Sequence, residues 1–111
     1  MEKKNNRLAL VVPCYNEEEV LAQTTKCLSS LINEMINEGV VSPNSFILYV
    51  NDGSKDSTWS LICKYHSENE FVRGVNLSAN VGHQNALWAG LSVAKDYADI
   101  IVSIDADLQD D

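Results

Sequence analysis

The residues best suited to chemistry are two carboxylates near the end of the chain, Asp105 and Asp107, which follow the apolar run 100–104. Carboxylates that leave a buried strand are costly unless they are paired or bind a metal ion, and no Lys or Arg occupies the nine positions before Asp105. Since residues i and i+2 of an extended segment point the same way, both side chains can face one point. We therefore predict a site for a hard divalent cation, Mg²⁺ or Mn²⁺, that holds a phosphate compound.

Four strands are predicted to position this pair. The runs 8–13 and 46–50 are too uniformly apolar for a sheet with one wet face, which indicates buried parallel strands. A weaker pattern predicts a third strand over 72–77, and the fourth is the buried run 100–104.

Helical patterns separate the strands. The first helix is predicted to open at Asn16 as N-cap, with Glu19 completing a capping box. The second is predicted from about Asp56, and the third follows Gly82. The resulting order β-α-β-α-β-α-β implies an α/β fold with a doubly wound, mostly parallel sheet.

All four predicted strands end in polar or acidic residues. These ends are Tyr15-Asn16-Glu17, Asp52-Gly53, Asn80-Val81-Gly82 and Asp105-Ala106-Asp107. The carboxyl ends of parallel strands meet at one edge of the sheet, where ligands of such folds bind. The sequence therefore predicts one binding site built from four loops.

Length, net charge and cysteine content indicate the number of domains, the kind of partner and the location of the protein. The 111 residues predict a single domain over 1–111. A net charge of −8 argues against nucleic acid as a partner. We expect neither a secretory signal nor a membrane span in these residues, because the first residues lack an apolar stretch and no apolar run approaches ~20 residues. Three widely spaced cysteines (Cys14, Cys27 and Cys63) favour reduced thiols and a cytoplasmic location.

Two common phosphate-binding motifs, GxGxxG and GxxxxGK(S/T), are missing from the sequence. The predicted site instead offers carboxylates, which repel a diphosphate unless a divalent cation bridges the two.

Four motifs carry a resemblance to a known family. They are Val12-Pro13-Cys14-Tyr15-Asn16-Glu17-Glu18, Val50-Asn51-Asp52-Gly53-Ser54-Lys55-Asp56-Ser57-Thr58, Asn80-Val81-Gly82-His83-Gln84-Asn85-Ala86 and Asp105-Ala106-Asp107-Leu108-Gln109. In this order they resemble glycosyltransferase family 2, most closely its branch that transfers sugars to polyprenyl or dolichyl phosphates.

The resemblance implies a GT-A fold, a Rossmann-like nucleotide-sugar-binding half, and sugar transfer from UDP or GDP with inversion at the anomeric carbon. It assigns nucleotide-sugar binding to Pro13, Tyr15, Glu17, Asp52, Asn80, Gly82 and Asp105. It assigns the metal, Mn²⁺ or Mg²⁺, to Asp105, Asp107 and Gln109. Gln109 has the right parity for this role if the segment stays extended.

In this family the acceptor half follows the metal motif, so we expect any catalytic base beyond residue 111 and little activity from this part alone. The resemblance implies a lipid-phosphate acceptor, and thus a full-length protein at the cytoplasmic face of the membrane. Without a second half the fourth strand would be exposed, which predicts self-association.

Other readings stay open at this stage. The acceptor could be a saccharide in cell-wall or exopolysaccharide synthesis, and the domain could be non-catalytic. A phospho-acceptor signalling module would need an acidic pair after its first strand, where this chain has Cys14 and Tyr15. Asn80 and Gly82 could form only a cap and a turn, and His66 and His83 are expected to be surface or packing residues.

Overall fold

The computed structural model describes residues 6–107, in which four strands alternate with three helices. The strands are β1 (Leu8–Cys14), β2 (Phe46–Asp52), β3 (Val72–Leu77) and β4 (Ile100–Ser103), and the helices are α1 (Leu21–Asn37), α2 (Thr58–Glu68) and α3 (His83–Ala94). All neighbouring strands are parallel, in the order β3-β2-β1-β4. The predicted α/β fold with a doubly wound parallel sheet is confirmed.

Helices cover both faces of the sheet, and β1 is therefore buried along its whole length. Leu10 and Val12 pack into the cluster formed with α1 and α2. Ala9 and Val11 pack against α3 on the opposite face. This helix approaches so closely that a Cβ atom on Gly90 would lie 2.6 Å from a Val11 methyl group. None of the helices described within residues 6–107 has the length and apolarity needed to span a membrane.

The strand order decides where the loops meet. The chain moves outward from β1 to β2 and β3, then crosses back to place β4 on the other side of β1. Its direction therefore reverses between β1 and β4. Ligands of open parallel sheets bind outside the carboxyl ends of the strands at such a switch point.

The start of α1 differs from the prediction. Asn16 is not the N-cap and the capping box with Glu19 is wrong, because the helix begins only at Leu21, after Val20. Asn16 has a φ of 54°, in the left-handed region, whereas an N-cap residue is normally extended. Its side-chain oxygen accepts a hydrogen bond from the Lys55 amide (2.8 Å) instead. A contact with a distant loop has replaced local helix capping.

β4 lies at the edge of the sheet and is partly exposed, as expected for the fourth strand without a second half, although its apolar run by itself indicated a buried strand. It pairs with β1, and Ile100 and Val102 remain 40% and 43% exposed. An apolar strand at a sheet edge can pair with another chain. The exposure is consistent with self-association, which stays a prediction.

Candidate functional site

A cavity of about 350 Å³ lies where the carboxyl ends of the four strands meet. Its lining residues are Pro13, Cys14, Tyr15, Glu17, Asp52, Asn80, Gly82, His83, Asp105, Ala106 and Asp107. Eight of the nine residues predicted for the site are among them, and the ninth, Gln109, lies outside the described residues. The structure brings the predicted residues together, and their contacts with a ligand stay predictions.

The loop after β1 is held in place by the loop after β2. The Asn16 amide donates to the Ser54 hydroxyl, and the Glu17 amide donates to the Thr58 hydroxyl, both at 2.9 Å. The Lys55 amide returns a hydrogen bond to the Asn16 side chain. These contacts connect the loop after β1 to the loop after β2 and to the first residue of α2, and they support the backbone that carries Tyr15 and Glu17.

Asp56 and Glu18 extend this connection. The Glu18 amide donates to one Asp56 carboxylate oxygen (3.3 Å), and the Thr58 amide and hydroxyl donate to the other (2.9 and 2.6 Å). Burial alone would raise the pKa of Asp56, but these hydrogen bonds outweigh it and lower the pKa. The helix predicted from about Asp56 begins two residues later, at Thr58 after Ser57, although the Asp56 carboxylate does accept a hydrogen bond from the Thr58 amide.

Asp52 holds the loop between β3 and α3. Its carboxylate, 3% exposed, accepts hydrogen bonds from the Val81 amide (2.7 Å) and the Asn80 side-chain amide (3.3 Å). Gly53 has a φ of 67°, and a Cβ atom there would lie 2.4 Å from the Asn80 nitrogen. This close approach requires glycine. Asp52 and Gly53 therefore set the position of Asn80 and Gly82 beside the cavity.

The segment after β4 carries the carboxylate pair. Its backbone follows β1 as far as Ile104, whose amide donates to the Val11 carbonyl (3.0 Å). Ala106 is 3% exposed, whereas Asp105 and Asp107 are exposed and line the cavity. The exposure of the side chains therefore alternates as far as Asp107, with Asp105 and Asp107 at the cavity and Ala106 buried between them.

The extended backbone of this segment ends before Ala106. Ala106 and Asp107 already lie in a turn, so parity no longer supports Gln109 as a metal ligand, and its assignment rests on the family resemblance alone. Gln109 itself is outside the described residues.

Negative charge accumulates on the β1–β4 side of the cavity. Burial, followed by the charges of Asp107, Asp56 and Asp105, raises the pKa of Glu17. Like charges disfavour the ionised form of a neighbouring carboxyl group. A bound cation would relieve this repulsion, so the donor chemistry fits a divalent metal ion.

A complete protein cage for a metal is absent within residues 6–107, where no three Asp, Glu, His or Cys side chains are suitably grouped. Mg²⁺ is commonly held by one or two carboxylates together with water and substrate phosphates. Asp105 and Asp107 fit that pattern, in which a phosphate ligand completes the coordination.

Three lining residues were not assigned to the site from the sequence: Cys14, His83 and Ala106. Cys14 was expected to fill a strand end, and it is 1% exposed. Burial, with a smaller effect from the charge of Glu17, raises the pKa of its thiol. His83 was expected at the surface or in packing, but it begins α3 at the cavity. The available signal was its place directly after Gly82 in the third motif.

Comparison with known proteins decides the family. The family model described as "Glycosyl transferase family 2" matches residues 9–111. The chain belongs to glycosyl transferase family 2. The resemblance inferred from four short motifs is thereby confirmed.

Relatives of this family 2 chain include proteins from several bacteria. It is 49% identical over 111 residues to the uncharacterized glycosyltransferase YkoT of Bacillus subtilis, covering 100% of this chain and 33% of YkoT. It is 36% identical over 104 residues to the prophage bactoprenol glucosyl transferase homolog of Escherichia coli, covering 94% of this chain and 31% of that protein. The chain therefore spans about a third of the length of these curated relatives.

Solved structures show the same fold at lower identity. S. aureus TarS in complex with UDP aligns with a TM-score of 0.71 and 20% identity, covering 91% of this chain and 27% of TarS. The mannosyltransferase PcManGT of Pyrobaculum calidifontis, in complex with GDP-Man and Mn²⁺, aligns with a TM-score of 0.71 and 21% identity, covering 94% and 28%. The family 2 chain thus has the fold of these glycosyltransferases.

Proposed function

We propose that this chain is the donor-binding part of an inverting glycosyltransferase that uses a UDP- or GDP-sugar with Mn²⁺ or Mg²⁺. The observation that carries the proposal is the acidic cavity at the switch point, where the charges of Asp105 and Asp107 act on Glu17. Family membership makes a nucleotide-sugar the expected ligand. A diphosphate and a divalent cation together suit an acidic site that would repel a diphosphate alone.

The nucleoside is proposed to lie against Pro13, Tyr15 and Glu17. The Tyr15 ring is 42% exposed beside the cavity and offers an aromatic surface for stacking of a base. Asp52 lines the same cavity, where it would contact the base or ribose. Since Asp52 also holds the loop of Asn80, base binding and loop position would be connected.

The diphosphate is proposed to lie toward Asp105 and Asp107. These two carboxylates would hold the divalent cation, with phosphate oxygens among its other ligands. When bound, the cation supplies Lewis acidity that stabilises charge on the departing diphosphate. Gly82 has a φ of 96°, and no atom lies within 4 Å of the place where a Cβ would stand, so its backbone leaves room for a ligand.

We propose a polyprenyl phosphate as the acceptor. The support is similarity to proteins named bactoprenol glucosyl transferase, at 34% identity over 94% of this chain for the Shigella phage SfV protein. An acceptor phosphate oxygen would form a bond to the anomeric carbon as the bond to the diphosphate breaks and the nucleoside diphosphate leaves with the bonding electrons. Attack opposite the leaving group inverts the carbon.

Such an acceptor is already anionic, so a general base is not required to activate it. The groups that position it are proposed to lie in the part of the relatives' length that this chain does not span. A lipid acceptor would place the complete protein at the cytoplasmic face of the membrane.

Titration calorimetry of the 111-residue chain with UDP and with GDP tests the donor site. Binding of at least one of them is expected with Mn²⁺ present and is expected to disappear when EDTA replaces the metal. Adenosine diphosphate with Mn²⁺ is the control for unspecific attraction of diphosphates. Binding that is equally strong in EDTA, or no binding of either nucleotide, would contradict the proposal.

A further inference from the structure

One buried hydroxyl contacts the backbone between the two cavity aspartates. Thr24, in α1, is 1% exposed, and its hydroxyl donates a hydrogen bond to the Ala106 carbonyl. Ala106 stands between Asp105 and Asp107 and is 3% exposed. The two partners are separated by 82 positions in sequence, so this contact connects α1 directly to the segment that carries both carboxylates.

The hydrogen bond between Thr24 and Ala106 lies where it can restrain the turn that carries the carboxylates. The backbone pairing between β4 and β1 reaches Ile104 through its bond to the Val11 carbonyl, and the turn of Ala106 and Asp107 follows. β4 is an exposed edge strand with four residues, so sheet pairing restrains this turn from one side. The Thr24 hydroxyl restrains it from the helix side.

We propose that Thr24 is a positioning residue that holds Asp105 and Asp107 in the orientation for the divalent cation. The inference rests on the proposed function, because the carboxylate pair must bind the cation. With the Ala106 carbonyl fixed, the peptide group that joins Ala106 to Asp107 keeps its orientation, and the two flanking side chains share the cavity. A freed carbonyl lets the turn rotate, and the carboxylates then lose their common direction. Groups that orient metal ligands commonly change metal affinity by about 10- to 100-fold when removed.

The neighbouring threonine supplies a matched control. Thr25 is also buried in α1, and its hydroxyl shares a 2.6 Å hydrogen bond with the Tyr49 hydroxyl. Thr25→Val therefore breaks a buried hydrogen bond of the same helix without touching the segment 105–107. Thr24→Val makes the same small change in side-chain shape as Thr25→Val, but it breaks the hydrogen bond to Ala106. Thr24→Ser keeps the hydroxyl.

The experiment measures thermal stability and Mn²⁺-dependent binding of UDP or GDP, whichever the unmodified chain binds, for all three variants. Thr24→Val is expected to weaken metal-dependent binding by about tenfold. Thr24→Ser should stay within about twofold of the unmodified chain because it keeps the hydrogen bond to the Ala106 carbonyl. Thr25→Val should lose thermal stability comparably and bind as the unmodified chain does.

Equal binding by Thr24→Val and Thr25→Val would overturn the positioning role while leaving the proposed function intact. Failure of the unmodified chain to bind either nucleotide with Mn²⁺ would overturn the proposed function and this inference with it. If Thr24→Val does not fold, Thr24→Ala replaces it with the same expectation, since it also removes the hydroxyl.

Discussion

The carboxylates after β2 and those after β1 and β4 share one cavity edge but have different surroundings. Asp52 and Asp56 accept hydrogen bonds from backbone amides of other loops. Glu17 instead has its pKa raised by burial, and then by the charges of Asp107, Asp56 and Asp105. The first group organises the loops, and the second concentrates negative charge in the cavity.

The difference indicates which acidic residues are suited to bind a cation. A carboxylate that accepts amide hydrogen bonds is stabilised as an anion, and the lowered pKa of Asp56 shows this effect. Carboxylates gathered together gain most from a cation, because it removes their mutual repulsion. The acidic residues of this edge are thus divided between those that hold the backbone and those proposed to bind a metal ion.

Asp107→Asn is the strongest test of this difference between the loop-holding carboxylates and the cavity carboxylates. If the cavity group binds the cation, the variant should lose Mn²⁺-dependent nucleotide binding by roughly 100-fold. The fold should stay intact because the change removes one of several like charges. Titration calorimetry measures the effect, and Asp96→Asn, an exposed position after α3, is the matched control. Unchanged binding by Asp107→Asn would show that the cation is held elsewhere.

Asp52→Ala tests the loop-holding group. The substitution leaves the Val81 amide without its acceptor and removes the side-chain partner of Asn80, which keeps only its bond to the residue 52 carbonyl (3.1 Å). The free energy of unfolding should therefore fall by about 2 kcal/mol. Asp52→Asn, which keeps one acceptor oxygen, should lose less. Urea unfolding followed by circular dichroism provides the measurement. If Asp52→Ala were as stable as the unmodified chain, Asp52 would not be needed to hold the loop.

The smallest expected effect comes from Glu17→Gln. A carboxyl group whose pKa is higher in the folded state than its ordinary value of 4.5 destabilises the fold above that raised pKa. Replacing it should therefore stabilise the chain at pH 7 by about 0.5 kcal/mol, since solvent screens part of the repulsion. The gain should vanish as pH falls below 4.5, where the acid is protonated in both states.

Thermal unfolding at pH 7 and pH 4 checks this prediction, with an expected rise in melting temperature of about 2–4 °C at pH 7. Glu38→Gln, at the far end of α1, is the control. A gain of the same size at both pH values would contradict the charge-based explanation.

Much of the site could be predicted because local patterns carry it. Uniform apolar runs marked β1 and β2, and polar residues directly after strands marked the loops that now line one cavity. Asn16 could not be predicted correctly from local rules. Its sequence context favours helix capping, but its side-chain oxygen accepts a hydrogen bond from the Lys55 amide instead.

The sequence alone determined the alternation of strands and helices, the parallel sheet and the residues at its carboxyl edge, since these follow from hydrophobic periodicity and short-range turn chemistry. Tertiary structure decided the order β3-β2-β1-β4, and with it the switch point beside β4. It also decided which carboxylates meet amides, as Asp52 does, and which hydroxyl meets Ala106. These contacts join residues far apart in the chain, and only packing brings them within hydrogen-bonding distance.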